Sequence, residues 1–191
     1  SEFDAVLRPF VGALFADGFE LSHAGIGPMA IAEAPDGTIL ISGGANRGDI
    51  WRFTRDGGSA ADSQPWARFD EPIFNLAFDA EGRLWATTGG GALLQLHAET
   101  GAVAARYGDG ITIALAVEPG RGRIFVSTNA GVSVFDPLTG LFEQWSRDEN
   151  LRVGSLAFDN QGNLWAVTWP DRRQVVKFTP FRRAELMLQF D

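Results

Sequence analysis

Short apolar runs alternate with polar, glycine-bearing turns along most of this chain, and no helical periodicity of useful length interrupts them. The pattern is sharpest at Leu76-Ala77-Phe78-Asp79-Ala80-Glu81-Gly82-Arg83-Leu84-Trp85-Ala86-Thr87-Thr88, which reads as a strand, a tight turn and a second strand. A close copy follows at Leu156-Ala157-Phe158-Asp159-Asn160-Gln161-Gly162-Asn163-Leu164-Trp165-Ala166-Val167-Thr168, and weaker copies span 31–40 and 115–125. The turn glycines are Gly37, Gly82, Gly122 and Gly162, so successive steps are 45, 40 and 40 residues. A near-constant step of this size marks a repeat architecture.

Each unit has the same grammar. Its first strand is apolar on both faces, as a strand buried between neighbours should be. Its second carries a large residue after the turn: Ile39, Trp85, Phe125 or Trp165. Its third ends in an apolar residue before a turn, and its fourth is more polar, as an outer edge requires. Expected strands are 28–34, 37–42, 48–54 and 65–70; 73–79, 82–88, 91–97 and 102–107; 111–117, 122–128, 130–135 and 140–146; and 153–159, 162–168, 173–179 and 184–190. The units themselves are expected at 28–70, 72–107, 111–146 and 152–190. Residues 1–27 form an N-terminal edge strand at 4–10, where Pro9 withholds a ladder donor, and a loop in which residues 12–16 make a helical turn. Residues 55–64, small and polar, read as a loop excursion.

Sheets with two apolar faces cannot bury both alone, and stacking them radially covers each with the next. The expected fold is therefore all-β: a β-propeller of about four four-stranded antiparallel blades plus one extra N-terminal strand. Four blades and a surplus strand do not close a ring in an obvious way. The segment is accordingly expected to be a piece of a larger or multi-chain propeller, with self-association one way to close it.

The run 153–168, with Val175-Val176-Lys177-Phe178-Thr179-Pro180 after it, resembles a blade of the NHL-repeat and streptogramin-lyase-like propellers. It is similar, more loosely, to gluconolactonase and two-component-regulator propellers. Over 28–190 the resemblance implies the fold and leaves the task open, since such blades serve many. The lyases of this kind use His and Glu with a divalent ion, and the chain offers only His23 and His97, the latter at an outer turn.

Composition narrows the partners. A net charge of −8 is expected to repel nucleic-acid backbone and anionic membrane. The absence of Cys removes disulfides, thiolate metal sites and Cys nucleophiles. No run of 18 apolar residues is present to insert in a membrane. Ser127, Ser133 and Ser155 lack the setting of a nucleophile, and Gly89-Gly90-Gly91 opens no helix that would cradle phosphate. The Asp79 and Asp159 turns read as ordinary turn chemistry, not calcium loops.

Propeller ligands meet the face built by the loops between second and third strands and those leading into each first strand. On that face the candidate binding residues are His23, Asn46, Arg47, Glu71, Asp109, Asn129, Trp169, Asp171 and Arg172, with Asn75 inside a first strand and aimed at the channel. Trp169 lies in a loop and suits stacking, whereas the other five Trp belong to strands and to the core. The expected function is a non-catalytic module that binds a protein or glycan through this face, with no catalytic residue, metal or cofactor assigned. The alternative is a metal-dependent lyase or lactonase-like hydrolase that uses a divalent cation at the central channel.

Overall fold

The computed structural model describes residues 11–190, so the strand expected at 4–10 lies outside the described residues. A short strand, β1 (Ala16–Asp17), precedes the first blade, which consists of β2 (Pro28–Glu33), β3 (Ile39–Gly43), β4 (Asp49–Phe53) and, after β5 (Gly58–Ser59), β6 (Ala67–Arg68). Blade 2 contains β7 (Asn75–Phe78), β8 (Leu84–Thr87), β9 (Gly91–Leu96) and the first half of β10 (Val103–Val117). The second half of β10 begins blade 3, which continues through β11 (Ile124–Thr128), β12 (Gly131–Asp136) and β13 (Leu141–Gln144). Blade 4 is β14 (Val153–Phe158), β15 (Leu164–Thr168), β16 (Gln174–Phe178) and β17 (Ala184–Gln189). Within each blade the strands pair antiparallel in chain order. This is the β-propeller blade expected from the repeat, and the strands of the four blades fall within two residues of the expected ones.

Three expectations need correction. The strands expected at 102–107 and 111–117 are one strand, β10, which leaves blade 2 and enters blade 3 without a break. Gly108 (φ 62°) and Gly110 (φ 69°) take the left-handed conformation that lets the chain bend there. The ladder shifts register between Tyr107 and Ile111 instead of ending. The helical turn expected at 12–16 does not form; Ala16 and Asp17 pair in parallel with Gly58 and Ser59. The excursion 55–64 is not structureless either, since it carries β5 and a single 3₁₀ turn at Ala60–Asp62.

Those two departures share a cause. The face of blade 1 turned away from blade 2 carries Ile41, Phe53 and Trp51, too much apolar surface to leave in water. Phe15 and Phe19 from the N-terminal segment cover it, with Phe15 edge-on to Phe53 at 6.3 Å and Phe19 edge-on to Trp51 at 6.0 Å. A β-carbon on Gly57 would run into the backbone carbonyl of Phe15, so the close approach of β1 requires glycine there.

Between blades the core is continuous. Leu40 and Ile50 of blade 1 meet Leu76, Leu84 and Leu94 of blade 2. Trp85 and Leu93 of blade 2 meet Ile124, Val126 and Phe135 of blade 3. Phe125, Val132 and Trp145 meet Leu156, Leu164 and Phe178 of blade 4. The first strands pack in succession, β2 on β7, β7 on β10 and β10 on β14. Among the described residues β14 and β2 share no substantial contact, so the series does not close on itself.

The repeated turn does more than reverse the chain. One oxygen of Asp79 accepts the backbone N–H of Glu81 and of Arg83, an Asx turn. The other accepts the indole N–H of Trp85 at 2.8 Å across the hairpin. Asp159 makes the same set to Gln161, Asn163 and Trp165, again with 2.8 Å to the indole. Six residues separate acid and indole in both copies, so the latch is part of the repeat.

The latch gives a pH signature. The Trp165 indole first, and then the Asn163 amide, hold the Asp159 carboxyl down from its ordinary 3.8 to about 2, against a smaller opposing effect of burial. A depressed carboxyl stabilises the fold fully above its unfolded pKa and loses that contribution as pH falls through its folded one. Wild type should therefore lose a component of stability between about pH 4 and pH 2 that Asp159→Asn lacks. Denaturation midpoints across that range should converge toward pH 2, and parallel curves would contradict the latch.

Candidate functional site

All four blades meet at one end of the array around an open cavity of about 440 Å³. The repeat explains the convergence: each blade brings the residues at the start of its first strand and the loop between its second and third. Blade 1 and the segment before it give Arg47 and Ile26; blade 2 gives Phe74 and Gly89. Blade 3 gives Thr112, Ile113, Thr128 and Asn129, and blade 4 gives Arg152, Val153, Trp169 and Pro170. Gly89 (φ 79°) is fixed here, since a β-carbon would collide with the Phe74 ring.

The wall is mainly apolar and its charges are two guanidinium groups. Arg47 lies over the Phe74 ring, its Cζ 4.9 Å from the centroid. Its terminal nitrogen faces the thioether of Met29 at 3.9 Å, and its Nε is buried without a hydrogen-bond partner. No carboxylate among the described residues pairs with it. A buried donor on a cation is costly unless satisfied, so Arg47 is poised for an acceptor. Arg152 is more open and lies 3.7 Å from Asp171 in a solvent-screened pair. The hydroxyls nearby are committed to structure. Ser127 shares a hydrogen bond with Thr112 and accepts the N–H of Ala114, and Thr128 accepts the N–H of Ala130.

Of the residues picked out from sequence, Arg47, Asn129 and Trp169 line this mouth, and Trp169 is 62% exposed. Asp171 stands behind it through Arg152. The others lie elsewhere. Asn46 donates to Asp49, whose carboxyl burial pushes upward, and both border a separate hollow near Phe19. Glu71 pairs with Arg106 at 3.2 Å on the outer side of blade 2. Asn75 bonds the N–H of Leu76 and does not line the cavity. Asp109 caps the bend of β10 through the N–H of Gly110, and His23 is an exposed turn residue. Arg172 (φ 64°) is turned away from the mouth and pairs with Asp148 at 2.6 Å.

Phe74 and Arg152 were not anticipated, yet each immediately precedes the first strand of its blade. Among the described residues, no three His, Asp or Glu side chains come together as a metal site would require.

The fold and the mouth define a β-propeller. Among solved structures the chain is similar to virginiamycin B lyase from Staphylococcus aureus, with a TM-score of 0.64 and 15% identity over 90% of this chain and 62% of that one. It is similar to a gluconolactonase from Xanthomonas campestris, with a TM-score of 0.64 and 14% identity over 83% of this chain and 61% of that one. It is also similar to the extracellular domain of a protein described as a one component system from B. thetaiotaomicron, with a TM-score of 0.61 and 17% identity over 84% of this chain and 25% of that one. The chain thus spans less than two thirds of the length of each. No protein-family model matches the sequence, and no curated protein does. At these identities the likeness shows the fold alone, and the proteins that share it include a lyase, a gluconolactonase and an extracellular domain of a one component system.

Proposed function

We propose that the chain is a non-catalytic β-propeller module that binds a protein or glycan ligand at the mouth where its four blades converge. The observation that carries this reading is Arg47: a cation stacked on Phe74, its Nε buried without a hydrogen-bond partner, on a largely apolar wall. A ligand that presents an anionic or carbonyl-rich group on a flat apolar body satisfies Arg47 and stacks on Trp169 at once. Asn129 and Arg152 lie where they can orient its polar rim. The lyase or lactonase-like alternative needs a set of converging acidic or His side chains, and the mouth offers guanidinium groups instead.

Titration of Trp fluorescence with uronic-acid oligosaccharides tests the proposal. Saturable binding is expected, with Arg47→Gln weakening it about 10- to 100-fold, since hydrogen bonds to charged groups contribute roughly 1.5–3 kcal/mol. An affinity indifferent to Arg47→Gln, or a stoichiometric divalent ion retained by the purified protein, would sink the reading.

A further inference from the structure

A second cavity, of about 580 Å³, opens on the outer side of the array between blades 3 and 4. It exists because one register position is small. In blade 3 the end of the third strand, Phe135, faces Phe142 across the ladder, and in blade 4 the equivalent Phe178 faces Ala184. Phe142 fills the gap between blades 2 and 3, its ring centroid 4.7 Å from that of Phe135, which is in turn 4.7 Å from that of Tyr107. Trp66 fills the gap between blades 1 and 2, its indole bonded to the carbonyl of Glu99. In the gap between blades 3 and 4 the outer rim stays open, over a floor of Leu151, Val176, Phe178 and Leu186.

The charge around this slot opposes that of the whole chain. Four arginines, Arg147, Arg172, Arg182 and Arg183, line it with one acid, Asp148, and Glu143 pairs with Arg182 at its edge, a local excess of positive charge on a chain that carries −8. Two ion pairs bridge the blades: Arg172 to Asp148 at 2.6 Å and Arg182 to Glu143 at 3.0 Å. Arg147 is exposed and has no hydrogen-bond or ion-pair partner among the described residues, and Arg183 makes no close ion pair there, its guanidinium acting on the Glu185 carboxyl only at longer range. Phe181, 88% exposed, stands beside them.

We propose that this slot is a docking site for an acidic peptide segment, one large apolar side chain filling the space that Ala184 leaves and flanking carboxylates pairing with Arg147 and Arg183. The aliphatic and aromatic floor selects an apolar side chain over a hydroxyl-rich sugar, and each planar guanidinium group can donate to both oxygens of one carboxylate. The mode is an anchor in a pocket with a charged rim. It is separate from the mouth at Arg47.

The test is fluorescence anisotropy of labelled Glu-Glu-Phe-Glu-Glu on the whole chain. Saturable binding is expected, weakened at least 10-fold by raising salt from 50 to 500 mM or by the double substitution Arg147→Glu with Arg183→Glu. Ala184→Phe, which copies Phe142, should abolish it without loss of thermal stability, while Arg47→Gln should leave it unchanged. The proposal fails if Lys-Lys-Phe-Lys-Lys or Glu-Glu-Ser-Glu-Glu binds equally well, or if the arginine variant keeps its affinity. It fails equally if the peptide does not saturate while a sulfated oligosaccharide does.

Discussion

Trp85→Ala should cost about 3–5 kcal/mol of folding stability, the range for deleting a large buried aromatic. Trp85 has no exposed surface and lies 5.9 Å from the ring of Tyr107 and 5.7 Å from that of Phe135, at the centre of the interface between blades 2 and 3. Its counterpart Trp165 occupies the same register position, opposite Ala157 as Trp85 is opposite Ala77. No blade covers it among the described residues, and it is half-buried under Lys177, whose ammonium lies 6.0 Å from its ring. Trp165→Ala should cost about 1–2 kcal/mol, because less surface leaves water and the site can relax. At roughly 2–4 °C per kcal/mol for a chain this long, the midpoints of the two variants should differ by several degrees. Equal losses would mean that stacking is not what covers the second-strand tryptophans, and the layered account of the fold would fail with it.

Trp85 was legible as core, and Trp165 as its counterpart in register, because a large residue two or three places after a turn glycine recurs at the repeat step; that Trp165 is only half-buried is a correction, since no blade among the described residues stacks on it. What escaped the sequence lies between elements. Gly108 and Gly110 read as breakers, and locally they are, with positive φ at both. The ladder partners on either side, Leu93 for Tyr107 and Gly91 with Thr128 for Ile111, keep the chain extended through the bend. Residues 11–27 read as a loop because their Phe residues have no period of their own. Phe15 and Phe19 gain a role only once Phe53 and Trp51 present a face to cover.

The site divides in the same way. Arg47, Asn129 and Trp169 were reachable because the loops between second and third strands are marked by glycine and polar residues. Phe74 and Arg152 were not, since the residue before a first strand looks unremarkable until the strands converge. Arg172 was assigned to the mouth from its loop, but the left-handed backbone at that residue sends the side chain to Asp148 and the other face of blade 4. Spacing finds loops, whereas the direction of a side chain depends on backbone angles that composition does not report.

Asp79→Ala should rank close to Trp85→Ala, at about 3–5 kcal/mol, although a small turn residue is lost and not a core aromatic. The Asp79 side chain has no exposed surface and accepts from four donors: the N–H groups of Glu81 and Arg83, the Arg83 Nε at 2.7 Å and the Trp85 indole at 2.8 Å. Removing it strands the indole donor in a dry interface and leaves Arg83 with Glu81 alone at 3.0 Å, and a buried group left without its partner costs more than the bond itself was worth. Asp79→Asn should recover part of the loss, because its one oxygen can serve either the turn or the indole but its amide opposes the guanidinium. Asp159→Ala should lose less than Asp79→Ala, since water can reach Trp165 and replace the acceptor. Urea titrations of the three variants settle the order. If Asp79→Ala behaved like an exposed turn substitution, within about 0.5 kcal/mol of wild type, the carboxylate would be closing a turn and nothing more, and the blades would be held by apolar contact without the latch that the repeat carries.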